Sequence, residues 1–132
     1  MTKVKKFGER DLFVASKIDS EIDERTGYER TIHSKPQHYA FSYMPASSQT
    51  DYQLYGTIGE DIYVSYVERK VYEGVFHIGD RAYLQNGERT LKQINSMVKT
   101  DNFDKYCTNA NYRIKSVLPQ NLRIKIIFEK IA

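Results

Sequence analysis

The residues whose types could support acid–base, nucleophilic or metal chemistry are few: His33, His38, His77, Asp80 and Cys107. A metal site needs several His, Cys or carboxylate donors converging on one point, and the three histidines do not fall at a ligand spacing. His33 and His38 flank Pro36 in a polar turn, and His77 stands beside Gly79-Asp80. Each is read as a solvated or hydrogen-bonding side chain rather than a general base. Asp80, within Ile78-Gly79-Asp80-Arg81, is read as tying down its own turn or pairing with Arg81. Cys107 is the sole cysteine, so no intramolecular disulfide exists, and its polar setting makes it a passive thiol. Gly56-Thr57-Ile58-Gly59 and Asn86-Gly87 are too short for a phosphate cradle and lack a following lysine. No catalytic residue, cofactor or metal is assigned, and an enzyme is not expected.

The elements that would position these residues read as short strands. Gly79-Asp80 supplies a structural turn, because glycine reaches positive φ without a Cβ clash. Val75, Phe76 and Ile78 before it and Ala82, Tyr83 and Leu84 after it both read as pleated, half-buried flanks. Upstream, 11–18 reads as a first strand, 23–27 as a turn and 28–32 as its hairpin partner. Residues 38–44 alternate, with Tyr39, Phe41 and Tyr43 on one face, and Pro45 ends the run. Within 46–55 a short capped helical turn is expected. Residues 61–67 form a strand with Ile62, Val64 and Tyr66 facing one way, and 81–85 another. The chain closes with 110–117, a turn at Pro119-Gln120-Asn121, and an amphipathic strand through Leu122, Ile124, Ile126 and Phe128 whose other face only Ile127 spoils. The expected core is Ile62, Val64, Tyr83, Ile114, Leu122, Ile124, Ile126 and Phe128. The fold class is mainly β: a small antiparallel β-barrel with a long inter-strand loop and at most one or two short helical turns.

That loop, residues 86–109, exceeds the ~12–15 residues beyond which a structureless connection in a compact domain is functional or disordered. Leu91, Ile94 and Val98 make a thin apolar line at helical spacing, among charged residues such as Arg89, Lys92, Lys99, Asp101 and Asp104. The segment alone is expected to bury too little to hold one conformation, so replacing 88–107 by a flexible linker would spare the barrel.

Composition narrows the classes. A chain of 132 residues forms a single domain, 1–132, with 1–10 as a flexible basic segment. Eleven tyrosines and no tryptophan disfavour disorder and suit half-exposed sheets. The net charge of +3 is mildly basic, well short of a DNA-binding signature. A barrel with Tyr39, Tyr43, Tyr63, Tyr66, Tyr83 and Tyr112 could still stack single-stranded bases; packing at the core rim is the preferred reading. No apolar run spans a bilayer, and the basic start (Lys3, Lys5, Lys6) lacks a following apolar run, so a soluble protein made in the cytoplasm is expected.

Several short motifs occur in a set order: Pro36 before an aromatic strand, Tyr43-Met44-Pro45-Ala46-Ser47-Ser48, Tyr55-Gly56, Ile78-Gly79-Asp80-Arg81-Ala82-Tyr83-Leu84, Ala110-Asn111-Tyr112-Arg113-Ile114-Lys115-Ser116-Val117 and a closing Ile-Phe-Glu-Lys strand. Their order and spacing resemble those of the head-closure (stopper, or head-completion) proteins of long-tailed bacteriophages. The resemblance implies a virion protein of the phage neck. It would form a homo-oligomeric ring below portal and adaptor proteins, close the DNA exit channel and dock the tail or its completion protein. The long loop would reach the channel, placing Arg89, Leu91, Lys92, Ile94, Val98, Lys99, Asp101 and Asp104 near packaged DNA. The isolated chain is expected to be a monomer that assembles on the neck. Alternatives are a tail-completion or other neck connector protein, or a small barrel binding single-stranded nucleic acid.

Overall fold

The computed structural model describes residues 9–46, 59–85, 89–98 and 105–131. Its elements are β1 (Arg10–Ala15), β2 (Lys17–Ile22), β3 (Glu29–His33), β4 (Gln37–Phe41), β5 (Met44–Ala46), β6 (Gly59–Glu68), α1 (Arg69–Tyr72), β7 (Arg81–Leu84), α2 (Leu91–Val98), β8 (Tyr112–Pro119) and β9 (Arg123–Lys130). Seven strands make one sheet in the order β4-β1-β7-β8-β9-β6-β5, and β2-β3 form a separate ribbon. The strand pairings are antiparallel.

The sheet curls because its two outermost strands are consecutive in the chain, joined only through Ser42 and Tyr43. The hydrogen-bonded order ends at β4 and β5, and side chains bind the seam between them. Ser65 Oγ donates to the Ser42 carbonyl at 2.6 Å, and the Tyr43 hydroxyl donates to the Asp11 carbonyl at 2.9 Å. The same hydroxyl accepts from the Gln85 N–H at 2.9 Å. Burial pushes the Tyr43 phenol up to about 12, so it stays neutral and serves as donor and acceptor at once.

Inside the curl, period-two alternation brings Leu12 and Val14, Ala82 and Leu84, Tyr112 and Ile114, and Ile124, Ile126 and Phe128 into one apolar cluster. Below it Tyr39, Phe41, Tyr72 and Phe76 make edge and stacked ring contacts, so the α1 segment closes that region of the core. The opposite face of β1 and β7 is covered too: Phe13, Ala15 and Tyr83 pack with Ile94 and Val98 of α2 and with Cys107 and Ala110. Burial on both faces is why β1 reads as a nearly unbroken apolar run.

Several expectations change in the structure. The first strand does not run to Ile18; the chain leaves the sheet at Ser16, which exchanges backbone and hydroxyl bonds with Ser34 at the root of the ribbon. Pro45 does not end a strand but lies in β5, an edge, where its missing N–H breaks no rung. In β6 the inward residues of the main core are Tyr63, Ser65 and Val67; Tyr66 is 49% exposed, and Val64 is only partly buried. Ile127 packs with Ile62 in a small third cluster, after a bulge near Lys115 shifts the β8–β9 register. Leu122, placed in the core by its alternation, sits in the β8–β9 turn at 78% exposure. The flank before Gly79 is not a strand: Val75 and Phe76 pack inward from a turn, whereas Ile78 is exposed. The helical turn expected within 46–55 falls outside the described residues but for Ala46, which is strand. Of the basic start, residues 1–8 also fall outside them, and Arg10 begins β1 with its guanidinium 4.4 Å over the Tyr43 ring.

Candidate functional site

The long β7–β8 connection begins and ends on fixed points. Ahead of β7, the strand from which the connection departs, Gly79 adopts φ +95, a region that disfavours any Cβ. Asp80, 1% exposed, accepts from the His77 N–H at 2.9 Å and from the Lys17 N–H at 3.1 Å. The carboxylate thus ties its own turn to the start of the ribbon. The backbone then extends the β7–β8 ladder, with Gly79 donating to Ile114 and Ile114 to Asp80.

At the exit, the Asn111 side chain donates to the Leu84 carbonyl and accepts from the Leu84 N–H, both at 2.9 Å. The Tyr83 hydroxyl donates to Asn109 Oδ1 at 2.6 Å, and Arg89 Nη1 donates to the Asn109 carbonyl. Residues 105–107 grip the ribbon instead. The Lys105 carbonyl accepts from the His33 N–H at 2.7 Å, Tyr106 donates its hydroxyl to Glu21, and Arg30 stacks 3.7 Å over the Tyr106 ring. Cys107 is buried, with φ 51, in the turn that brings Ala110 N–H back to its carbonyl.

Between these anchors, α2 overturns the expectation that the segment buries too little to hold a conformation. Ile94 is 0% exposed and Val98 3%, with Leu91 packed beside them. Their partners belong to the same chain, so the apolar line is already occupied. Removing 88–107 would strip Ile94, Val98 and Cys107 from Phe13 and Tyr83, contrary to the idea that the barrel would be spared. The missed signal is Thr90-Leu91-Lys92-Gln93: Gln93 N–H donates to Thr90 Oγ1 at 3.3 Å, and Thr90 N–H donates to Gln93 Oε1 at 2.8 Å. This reciprocal capping box satisfies the first turn of the helix.

The polar candidates divide. Lys92 lies on the exposed side of α2 and Arg89 is half-buried on its Asn109 bond. Lys99, Asp101 and Asp104 lie outside the described residues.

The histidines do not converge. His38 lies 2.8 Å from Asp11 Oδ1 at the β4 edge, and His77 is exposed. His33, read as a polar-turn residue, is instead 1% exposed, and neither ring nitrogen has a hydrogen-bond partner among the described residues. Burial, then the nearby Arg81 charge, pulls its pKa below 6.5. Among the described residues no group of three His, Cys, Asp or Glu could hold a metal ion, and no helix is long and apolar enough to cross a membrane. Of the tyrosines offered for base stacking, Tyr43, Tyr63, Tyr83 and Tyr112 are at most 2% exposed and present no free ring face.

No protein-family model, curated protein or solved structure matches this chain.

Proposed function

We propose that the chain is a structural protein of a phage neck, a subunit of a ring that closes the DNA exit channel and carries the tail-docking surface. The observation that supports this reading is the anchoring of the β7–β8 connection. Two of the motifs that carry the resemblance flank it: Ile78 to Leu84 is the turn into β7 and β7 itself, and Ala110 to Val117 is the exit and β8. A curled sheet in which Asp80 ties the start of β7 and Asn111 ties its end to the returning chain can hold the polar part of the connection at a fixed place on a ring. Lys92, exposed on α2, is available to face DNA phosphates, since Ile94 and Val98 are spent on the chain's own core.

A tail-completion or other connector protein of the same neck would use the same frame. The single-stranded nucleic-acid reading loses most of its stacking residues to burial. Particles assembled without this protein test the proposal. Full heads that leak DNA and carry no tails are expected; normal tailed particles would overturn it. A titration with short single strands at two salt concentrations tests the competing reading, which requires tight, steeply salt-dependent binding.

A further inference from the structure

Two polar side chains at the root of the ribbon lack the partners their chemistry calls for. Arg81 opens β7, half-buried, on the face of the sheet away from the main core, since Ala82 and Leu84 belong to that core. No hydrogen bond or ion pair holds its guanidinium among the described residues. Asp80, its expected partner, accepts from the backbone of His77 and Lys17 instead. Glu129 is taken by Arg113 and Lys115. Arg113 stands directly opposite Arg81 in the β7–β8 register, so one cation faces another. Burial and then Arg113 lower the pKa of Arg81, while Cys107 on its other side opposes them.

His33 is the second, buried with both ring nitrogens unpartnered among the described residues. Ala15 brings the two together. It pairs with Arg81 in the β1–β7 register, and its carbonyl faces the His33 ring without closing a hydrogen bond. Lys17 stands opposite His33 in the ribbon, its stem running past Gly79. The charged groups around the ring are therefore Arg81 on β7, Lys17 on β2 and Asp80 in the turn. Lys105, whose carbonyl accepts from the His33 N–H, turns its ammonium to Glu21. Buried polar groups in folded proteins are met by the chain, by water or by a bound solute. Water would meet the donors here but leave Arg81 and Lys17 uncompensated.

We infer that Arg81 and His33 form a binding site for an oxyanion of the phosphate class, with Lys17 and Arg113 adding positive charge around it. A planar guanidinium presents paired N–H donors that match two phosphate oxygens, and an imidazole N–H supplies a third. The ligand is a free phosphate ion or the phosphate of a nucleic-acid backbone, which share this chemistry. It approaches from the side of Arg81, which is partly exposed where His33 is not. Once bound, the anion offsets Arg81 and Lys17 and favours the protonated imidazole. The site needs neither ring nor channel, so it stands apart from the neck reading.

The test uses the purified full chain and inorganic phosphate, titrated at neutral pH with chloride holding the ionic strength constant. Binding is read by NMR from the His33 ring and from the backbone amides of Lys17 and Arg81. Saturable binding is expected, with the His33 ring moving toward its protonated form. Arg81→Gln and His33→Phe, once circular dichroism verifies that they fold, should each bind at least about tenfold more weakly, the loss of one charge-assisted hydrogen bond. Lys70→Gln, an exposed change on α1, should bind like wild type. A wild-type His33 ring that phosphate leaves unmoved overturns the site, and that reading needs no variant to fold. Wild-type affinity in Arg81→Gln or His33→Phe overturns it equally. Short duplex DNA added to the phosphate-loaded protein then identifies the source. Displacement of the bound phosphate assigns the site to a nucleic-acid backbone; binding that DNA leaves unchanged assigns it to the free ion.

Discussion

The side chain of Asn111 does for Leu84 what a neighbouring strand would do: it accepts from the Leu84 N–H and donates to the Leu84 carbonyl, each at 2.9 Å. Leu84 is 0% exposed, so neither backbone group has water as an alternative partner. One amide therefore ends the β7–β8 ladder and fixes where the long connection leaves the sheet and returns to it.

Asn111→Ala should leave both Leu84 backbone groups unpaired in the core. Each such group costs about 1–3 kcal/mol, so a loss of roughly 2–4 kcal/mol is expected in denaturant unfolding. Asn111→Asp keeps the acceptor, loses the donor and adds a buried charge, and should be at least as harmful. An Asn111→Ala midpoint equal to wild type would remove this residue from the anchor.

Two residues with the same pattern in the sequence should respond oppositely to the same change. Ile124→Asp puts a carboxylate in the main core, where Ile124 is 4% exposed, and should prevent folding or cost several kcal/mol. Leu122→Asp, at 78% exposure, should shift stability by less than about 0.5 kcal/mol. A cooperative, wild-type-like melt for Ile124→Asp would contradict the core assignment.

The β character, the antiparallel pairing and most of the core were legible because period-two alternation reports which face is buried. Leu122 shows the limit of that rule: alternation continues past the point where the strand becomes a turn. In β6 both faces carry apolar residues, so the pattern could not say that Tyr63 and Val67, rather than Val64 and Tyr66, face the main core. The ribbon's turn at 23–27 and its returning strand are legible, but the break between β1 and β2 at Ser16 is not, because it is made by contacts with Ser34 and no local signal marks a long-range partner. The burial of His33 is hidden from the sequence for the same reason. Helix α2 was half legible: Leu91, Ile94 and Val98 had the right spacing, and the capping box at Thr90 and Gln93 was the unread confirmation. The role of Asn111 leaves no periodic trace at all.

His33 should make the fold sensitive to mild acid. Burial and Arg81 hold its folded-state pKa below the ordinary 6.5 of the unfolded chain. The unfolded state then binds more protons, so the contribution is intact above about pH 6.5 and is lost as pH falls below it. Asp80 opposes the shift and Lys17 reinforces it, and both sit at the ribbon root. Denaturant unfolding between pH 8 and pH 5 should show a steeper acid loss for wild type than for His33→Phe. Parallel profiles would mean that His33 carries no proton linkage.

Closure of the DNA channel is tested most directly on filled heads, by leaving α2 and both anchors in place and replacing only residues 99–104 with a Gly-Ser linker of equal length. The variant keeps Ile94, Val98, Cys107 and Asn111 in place, and circular dichroism and melting verify that it folds before the heads are tested. Nuclease-accessible DNA released from the heads is the measurement. The account predicts that heads completed with the variant lose their DNA while those completed with wild type retain it. Full, stable, infectious particles carrying the variant would contradict the closing role of the connection.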